Sequence, residues 1–270
     1  MNRRNVLLLL PALSLLYMGV MHGRCAYAAW PGQGEDGDHT LHESGLGAVE
    51  GCSLHGFGFN RGDIASMLAP AHLIPQRLQE KAEQFNEVLS SIYELSPGLA
   101  FIIDGNSPNA FATPENLLSG SRDGSILLGL SLFQLEFQSG PGTWEGAAVL
   151  IHAHEFGHIA EYYFDYIGPV PIMELQADAL AGCAMAHQIL IDPARAMTAN
   201  QRMQELMHAS RSVFSKGSYD FNDPNFHGTP QQRLTAFQAG FLYVAGSNQQ
   251  RGIRDAMRQT RLFAERILSR

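Results

Sequence analysis

Basic residues are scarce in this chain: 18 Lys and Arg stand against 26 Asp and Glu in 270 residues. That balance argues against nucleic acid as a partner, because a phosphate backbone is met with an excess of positive charge. Cysteine is scarcer still, with three in all, which excludes a small scaffold built on disulfides. No apolar run beyond Ala29 is long enough to span a membrane, and there is no internal repeat. What is present is 45% hydrophobic residues, enough to bury a core in one ordinary domain or two small ones.

Acidic residues are missing altogether from positions 1–28, which carry three arginines. Arg3 and Arg4, the apolar run Val6 to Val20 and the small residues of Ala26-Tyr27-Ala28 before Ala29 read as a signal peptide over 1–28. It implies a periplasmic or secreted mature chain with no membrane span. The run is short for a span and contains Pro11, so an inner-membrane anchor left uncleaved is the alternative. The paired arginines leave the general secretory and twin-arginine routes both open. Cleavage leaves 15 basic and 26 acidic side chains, a formal charge of −11. Cys25 departs with the signal, and Arg24 before it is unlike a lipobox residue. Cys52 and Cys183 then remain as a possible pair in an oxidising compartment. Residues 29–60 are Gly-rich, acidic and poor in apolar anchors, the profile of a flexible tether, and His39, His42 and His55 within it are read as solvated. The folded domain is expected over 61–270.

Within it, Leu78, Ala82, Phe85, Leu89 and Ile92 recur every three or four residues and predict a helix from Pro75 to Leu95. Leu99 to Ile103 reads as a strand closed by Asp104-Gly105. Asn109-Ala110-Phe111-Ala112 and Ser125 to Leu130 add two more, so a small sheet of unreadable topology is expected. A long helix is predicted over 143–163 and another over 172–191. Thr229-Pro230-Gln231-Gln232 combines an N-cap threonine, a first-turn proline and a capping-box glutamine, marking a third. A final amphipathic helix is expected near 249–268.

The segment His154-Glu155-Phe156-Gly157-His158 carries the chemistry. Residues four apart share a helix face, so both imidazoles can reach one ion. Glu155 can flank the ion as general base, taking a proton from an attacking water and passing it to the leaving amine. By chance such a match arises about 0.02 times in a chain of this composition. A catalytic zinc needs a third protein ligand. The metzincin pattern fails, because positions 161 and 164 are Glu161 and Phe164 rather than glycine and histidine. Glu174 is the better candidate, on a helix returning after Gly168-Pro169-Val170-Pro171, with Asp178 one turn on to accept a ligand histidine's other ring N–H. Glu161 and Asp165 are rival third ligands. Ala147, Ala148, Gly157 and Ala160 facing Ala177, Ala181 and Gly182 would let the two helices approach closely. His227, just before the capped helix, is a loop histidine or a donor to a tetrahedral oxyanion. Arg233, one turn inside that helix, reads as a surface arginine, with pairing to an acidic group near the site as the alternative.

These segments resemble the compact gluzincin metallopeptidases related to CAAX prenyl endoproteases and HtpX-type heat-shock proteases. His227-Gly228-Thr229-Pro230-Gln231-Gln232-Arg233 with Glu174-Leu175-Gln176-Ala177-Asp178 is similar to bacterial proteins described as predicted neutral zinc metallopeptidases. The resemblance spans roughly residues 70 to 245. It implies an α+β, mainly helical zincin-like domain with a small β-sheet beside the zinc helix, and one Zn2+ on His154, His158 and Glu174. It also implies Asp178 behind the ligands, Glu155 and His227 as catalytic groups, and Asn109, Ala110, Phe111 and Ala112 binding substrate as an added edge strand. Two features depart from that group: no spanning helices follow Ala29, and Pro114 to Gly124 differs from the usual Gly-rich turn. The function so implied is cleavage of peptide bonds in exported or misfolded proteins, the partner being a peptide or unfolded protein. A zinc-bearing peptide-binding or chaperone-like module without turnover is the alternative. Cleavage of cell-wall peptides has no binding module to support it.

Overall fold

The computed structural model describes residues 61–105, 108–138, 144–191, 226–246 and 252–269. The chain divides into two units, Met1–Val49 and Glu50–Arg270, and every described residue belongs to the second. The expected signal peptide, tether and Cys52 lie outside the described residues. Among those described, the order is α1 (Arg61–Met67), a 3-10 turn at Ala71–Leu73, α2 (Gln76–Tyr93), β1 (Gly98–Ile102), β2 (Ala110–Thr113), β3 (Ser125–Gly129), α3 (Leu130–Gln138), α4 (Trp144–Tyr163), α5 (Val170–Ile191), α6 (Pro230–Ala245) and α7 (Ile253–Leu268). This is an α+β arrangement of seven helices and one small sheet. No described helix is long and apolar enough to cross a membrane.

The amphipathic face of α2 is buried through Leu78, Ala82, Phe85, Leu89 and Tyr93. Tyr93 takes the place expected for Ile92. Four residues after Leu89, it stacks on Phe156 of α4 and donates its hydroxyl to the Leu180 carbonyl of α5 at 2.7 Å, so its one polar atom is satisfied inside the core. Desolvation raises the pKa of that buried phenol well above its ordinary value, with a smaller contribution from Cys183.

The sheet has the order β1-β3-β2. β1 runs parallel to β3 with Gly98 opposite Ser125, and β2 runs antiparallel with Ala110 opposite Leu128. β2 is therefore an edge strand, and α4 packs against it and against β3. The strand expected to run to Leu130 stops at Gly129, and α3, which the apolar pattern did not reveal, begins at once. Asp104 makes this break. Its carboxylate accepts from the amides of Ser131 (2.7 Å) and Leu132 (3.2 Å) at the start of α3, and from Asn109 (3.1 Å) at the start of β2. A side chain at 129 would collide with that carboxylate, since a Cβ there would lie 2.0 Å from Asp104 Oδ2.

α5 is the central helix, packed on α4, α6 and α7. Its small residues serve two neighbours rather than one. A Cβ on Gly157 of α4 would fall 2.9 Å from Ala177 Cα, which is the close approach expected between these helices. Gly182 does not face α4: a Cβ there would meet the Phe237 carbonyl oxygen of α6 at 2.1 Å, and one on Gly240 of α6 would meet the Ala179 carbonyl oxygen of α5 at 1.8 Å. Bare backbone meets bare backbone at this crossing. Cys183, the one cysteine among the described residues, is a buried free thiol that donates to the Gly240 carbonyl at 3.3 Å, and burial pushes its pKa up to about 12. Gly240→Ala is expected to lower the unfolding free energy by about 1–3 kcal/mol through overpacking, read as an earlier midpoint in urea.

Candidate metal centre

α4 carries His154 and His158 one turn apart, and α5 comes back against it so that Glu174, in its second turn, faces both. All three are buried, and their candidate ligand atoms lie within 4.8 Å of one another. His154 Nε2 is 3.4 Å from Glu174 Oε2, and His158 Nε2 is 3.4 Å from Glu174 Oε1. Those separations are long for N–H···O hydrogen bonds, which lie at about 2.7–3.2 Å. They run to different oxygens of Glu174, and each is close to the spacing of about 3.3–3.4 Å between two donors that share a tetrahedral ion at about 2.0–2.1 Å. His158 Nε2 is buried and has no hydrogen-bond partner among the described residues. The group can hold a metal ion, and its donors fit one.

Each ring turns its other nitrogen to a carboxylate. His154 Nδ1 lies 2.9 Å from Asp178 Oδ1, and His158 Nδ1 lies 2.8 Å from Glu161 Oε2. Glu161, a rival for the third ligand, thus sits on the far side of the His158 ring from Nε2. Asp165, the other rival, is exposed and terminates α4 in the left-handed region at φ 59°. Tyr166 N donates to Glu161 O at 2.8 Å and Asp165 N to Tyr162 O at 3.3 Å, the two bonds of a Schellman termination.

Arg233 is not on the surface. It is 2% exposed and grips Asp178 with two bonds, Nε to Oδ2 at 2.8 Å and a terminal nitrogen to Oδ1 at 2.9 Å. The same terminal nitrogen is 3.7 Å from Glu174 Oε2. It reaches there because α6 starts where the sequence places its cap: Thr229 Oγ1 accepts from Gln232 N, and Gln232 Oε1 accepts from Thr229 N. Arg233 falls in the first turn. What sequence reading lacked was a partner for it, since Asp178 is 55 residues away.

The remaining expected residues are distributed around this centre. Glu155, between the two histidines, is 1% exposed. His227 is the open side of the cluster: its side chain is 15% exposed and its Nδ1 lies 3.0 Å from Glu174 Oε1. Gly228 at φ 90° turns the chain from it into α6. Ala110, Phe111, Ala112 and Thr113 form β2 with buried side chains, while Asn109 precedes the strand, its Oδ1 accepting from Ala110 N at 2.9 Å. The divergent loop after it is closed by Ser125, whose hydroxyl donates to Glu115 O at 2.8 Å and accepts from Leu117 N at 3.0 Å. His152, the third histidine of α4, faces away toward α2, with Nε2 3.0 Å from Asn86 Oδ1. Burial lowers its pKa to about 3 and keeps it neutral.

Charge at the centre is strongly coupled. Burial by itself would lower the His158 pKa, but Glu161 and Glu174 outweigh it and hold it well above the ordinary imidazole value. Burial pushes Glu161 up to about 7 against the opposing pull of His158. Glu174 is held well below the usual carboxylate range, because His227 and the two ring contacts override the cost of burial. Asp178 is lowered in the same way, burial being overcome first by the Arg233 charge. Compared with known protein families, with curated proteins and with solved structures, the chain finds no match, and its geometry alone supports the reading of this site.

Two outcomes follow from these charges. Metal-free His158 holds a proton at neutral pH that a cation at Nε2 must displace, so metal affinity should rise with pH toward the raised pKa and weaken as pH falls. Calorimetric titration at pH 7 in buffers of different ionisation enthalpy should register proton release, and buffer-independent heats would contradict it. Arg233→Met strands a buried carboxylate and should cost about 3–5 kcal/mol of stability, measured by urea unfolding of the metal-free protein.

Proposed function

We propose that the chain is a zinc-dependent endopeptidase with a zincin-like domain of the gluzincin type, cleaving peptide bonds in exported or misfolded proteins. The observation that carries this reading is the convergence of two imidazole nitrogens and one carboxylate within 4.8 Å of one another, with a buried glutamate between the two histidines in the same helix. Two histidines and a glutamate make a ligand set of catalytic zinc, leaving a fourth position open. The borderline-soft imidazoles disfavour magnesium and calcium, which take oxygen ligands.

Zinc held there polarises the scissile carbonyl and lowers the pKa of water. Glu155 takes the proton of the attacking water and hands it to the amine nitrogen as the C–N bond breaks, so no external acid is needed. His227 stands at the open side of the cluster and serves as the hydrogen-bond donor to the oxyanion that develops on the carbonyl. Asp178, braced by Arg233, keeps His154 aimed.

The substrate is an extended peptide. Among the described residues β2 has one neighbour in the sheet, so alternate residues of Ala110–Thr113 direct N–H and C=O away from β3, and a peptide adds there as a further strand. With Asn109 at its start, this edge runs beside α4 and sets the peptide against the metal. The signal-like N-terminus supports work in the periplasm or outside the cell.

Glu155→Gln separates this enzyme from a zinc-bearing module that only binds peptides. It should retain zinc at the parent's stoichiometry and cut a peptide library about 10²–10⁴ times more slowly. Equal cleavage by parent and variant would show that Glu155 is not the base.

A further inference from the structure

Resting on the metal-site reading above, we infer that Glu161 is a positioning residue that fixes His158 as a metal ligand, a second carboxylate brace alongside Asp178. The two are three residues apart at the end of α4, a spacing that puts them on one helix face. Glu161 Oε2 stands 2.8 Å from His158 Nδ1. A carboxylate can only accept, so this contact assigns the ring proton to Nδ1 and leaves the Nε2 lone pair aimed at Glu174.

Three features show that Glu161 is built for this contact. Its side chain is 0% exposed, so solvent does not compete for it. Its Oε1 has no hydrogen-bond partner among the described residues. Its backbone is pinned as well, because the carbonyl accepts the shorter of the two bonds in the turn that ends α4, from Tyr166 N at 2.8 Å. A third-ligand role is excluded by side, since the His158 ring lies between the carboxylate and the point where the Nε2 atoms converge.

The two braces are unequal. Asp178 shares its charge with Arg233, both oxygens being gripped, whereas among the described residues the charged partner within ion-pair distance of Glu161 is His158 itself. The support of His158 is therefore the one more sensitive to losing its carboxylate.

The test is titration of the metal-free protein with Co2+, followed by its visible absorption, in the parent, Glu161→Gln, Glu161→Ala and His158→Ala. Glu161→Gln keeps an acceptor of the same shape without the charge. Affinity should fall several-fold in Glu161→Gln and about 10–100-fold in Glu161→Ala, with a shifted band and with far-UV circular dichroism of the metal-free forms unchanged. If Glu161→Ala does not fold, the Glu161→Gln affinity decides. Both variants binding within about twofold of the parent would overturn the inference and leave the metal site standing. Loss in Glu161→Gln as complete as in His158→Ala would also overturn it, by making Glu161 a ligand. A parent that binds no Co2+ would instead overturn the reading of the whole centre.

Discussion

Four carboxylates, Glu155, Glu161, Glu174 and Asp178, are packed within two adjacent helices at 1% exposure or less. An isolated buried carboxylate costs several kcal/mol, and groups of like charge add to that cost. Arg233 is the one buried cation among the described residues, and it is committed to Asp178. The rest of the positive charge must come from protons on the histidines or from a metal ion. Metal-free, the cluster manages with protons: His158 is driven up and Glu161 reaches about 7. A divalent cation at the three convergent donors would supply two positive charges in place of those protons.

The rest of the fold holds those charges in place. Backbone contact at Gly157, Gly182 and Gly240 brings α4, α5 and α6 close enough for side chains of ordinary length to meet at one point. The capping box at Thr229 sets where α6 begins and so where Arg233 enters. Between Glu174 and Asp178 on α5, Gln176 donates to Met257 O at 3.1 Å, and Arg261 of α7 reaches both Tyr166 O and Gln176. This ties the turn between the two ligand helices to the C-terminal helix. Away from the helices, the Asp104 carboxylate joins the starts of β2 and α3, keeping the edge strand in register beside α4.

Features governed by local chemistry were legible in the sequence. The His154–His158 spacing, the capping box and the apolar face of α2 are each contained in a few residues, and each is found where expected except that Tyr93 replaces Ile92 at the end of the α2 face. Features decided by distant partners were not. α3 was hidden because Ser125 to Leu130 is a continuous apolar run, and its division at Gly129 depends on Asp104, 27 residues away from Ser131. α4 and α5 are buried on nearly all sides, so their small residues carry no stripe to say which neighbour each one meets. Gly182 was assigned to the wrong helix for that reason. The choice between Glu161 and Glu174 turns on which side of the His158 imidazole each carboxylate occupies, a matter of ring orientation that spacing does not express, while Asp165 is exposed at the end of α4. Arg233 looked like a surface residue because nothing near it in the chain calls for a buried cation.

The central claim is a metal held by two imidazoles and one carboxylate, with no thiolate. Zinc K-edge X-ray absorption on the purified protein tests it directly. The account predicts one zinc per chain with light-atom neighbours at about 2.0–2.1 Å, imidazole outer-shell scattering and a low coordination number. Sulfur scattering at about 2.3 Å, or zinc with no imidazole signature, would place the metal elsewhere in the chain and contradict the centre built from His154, His158 and Glu174.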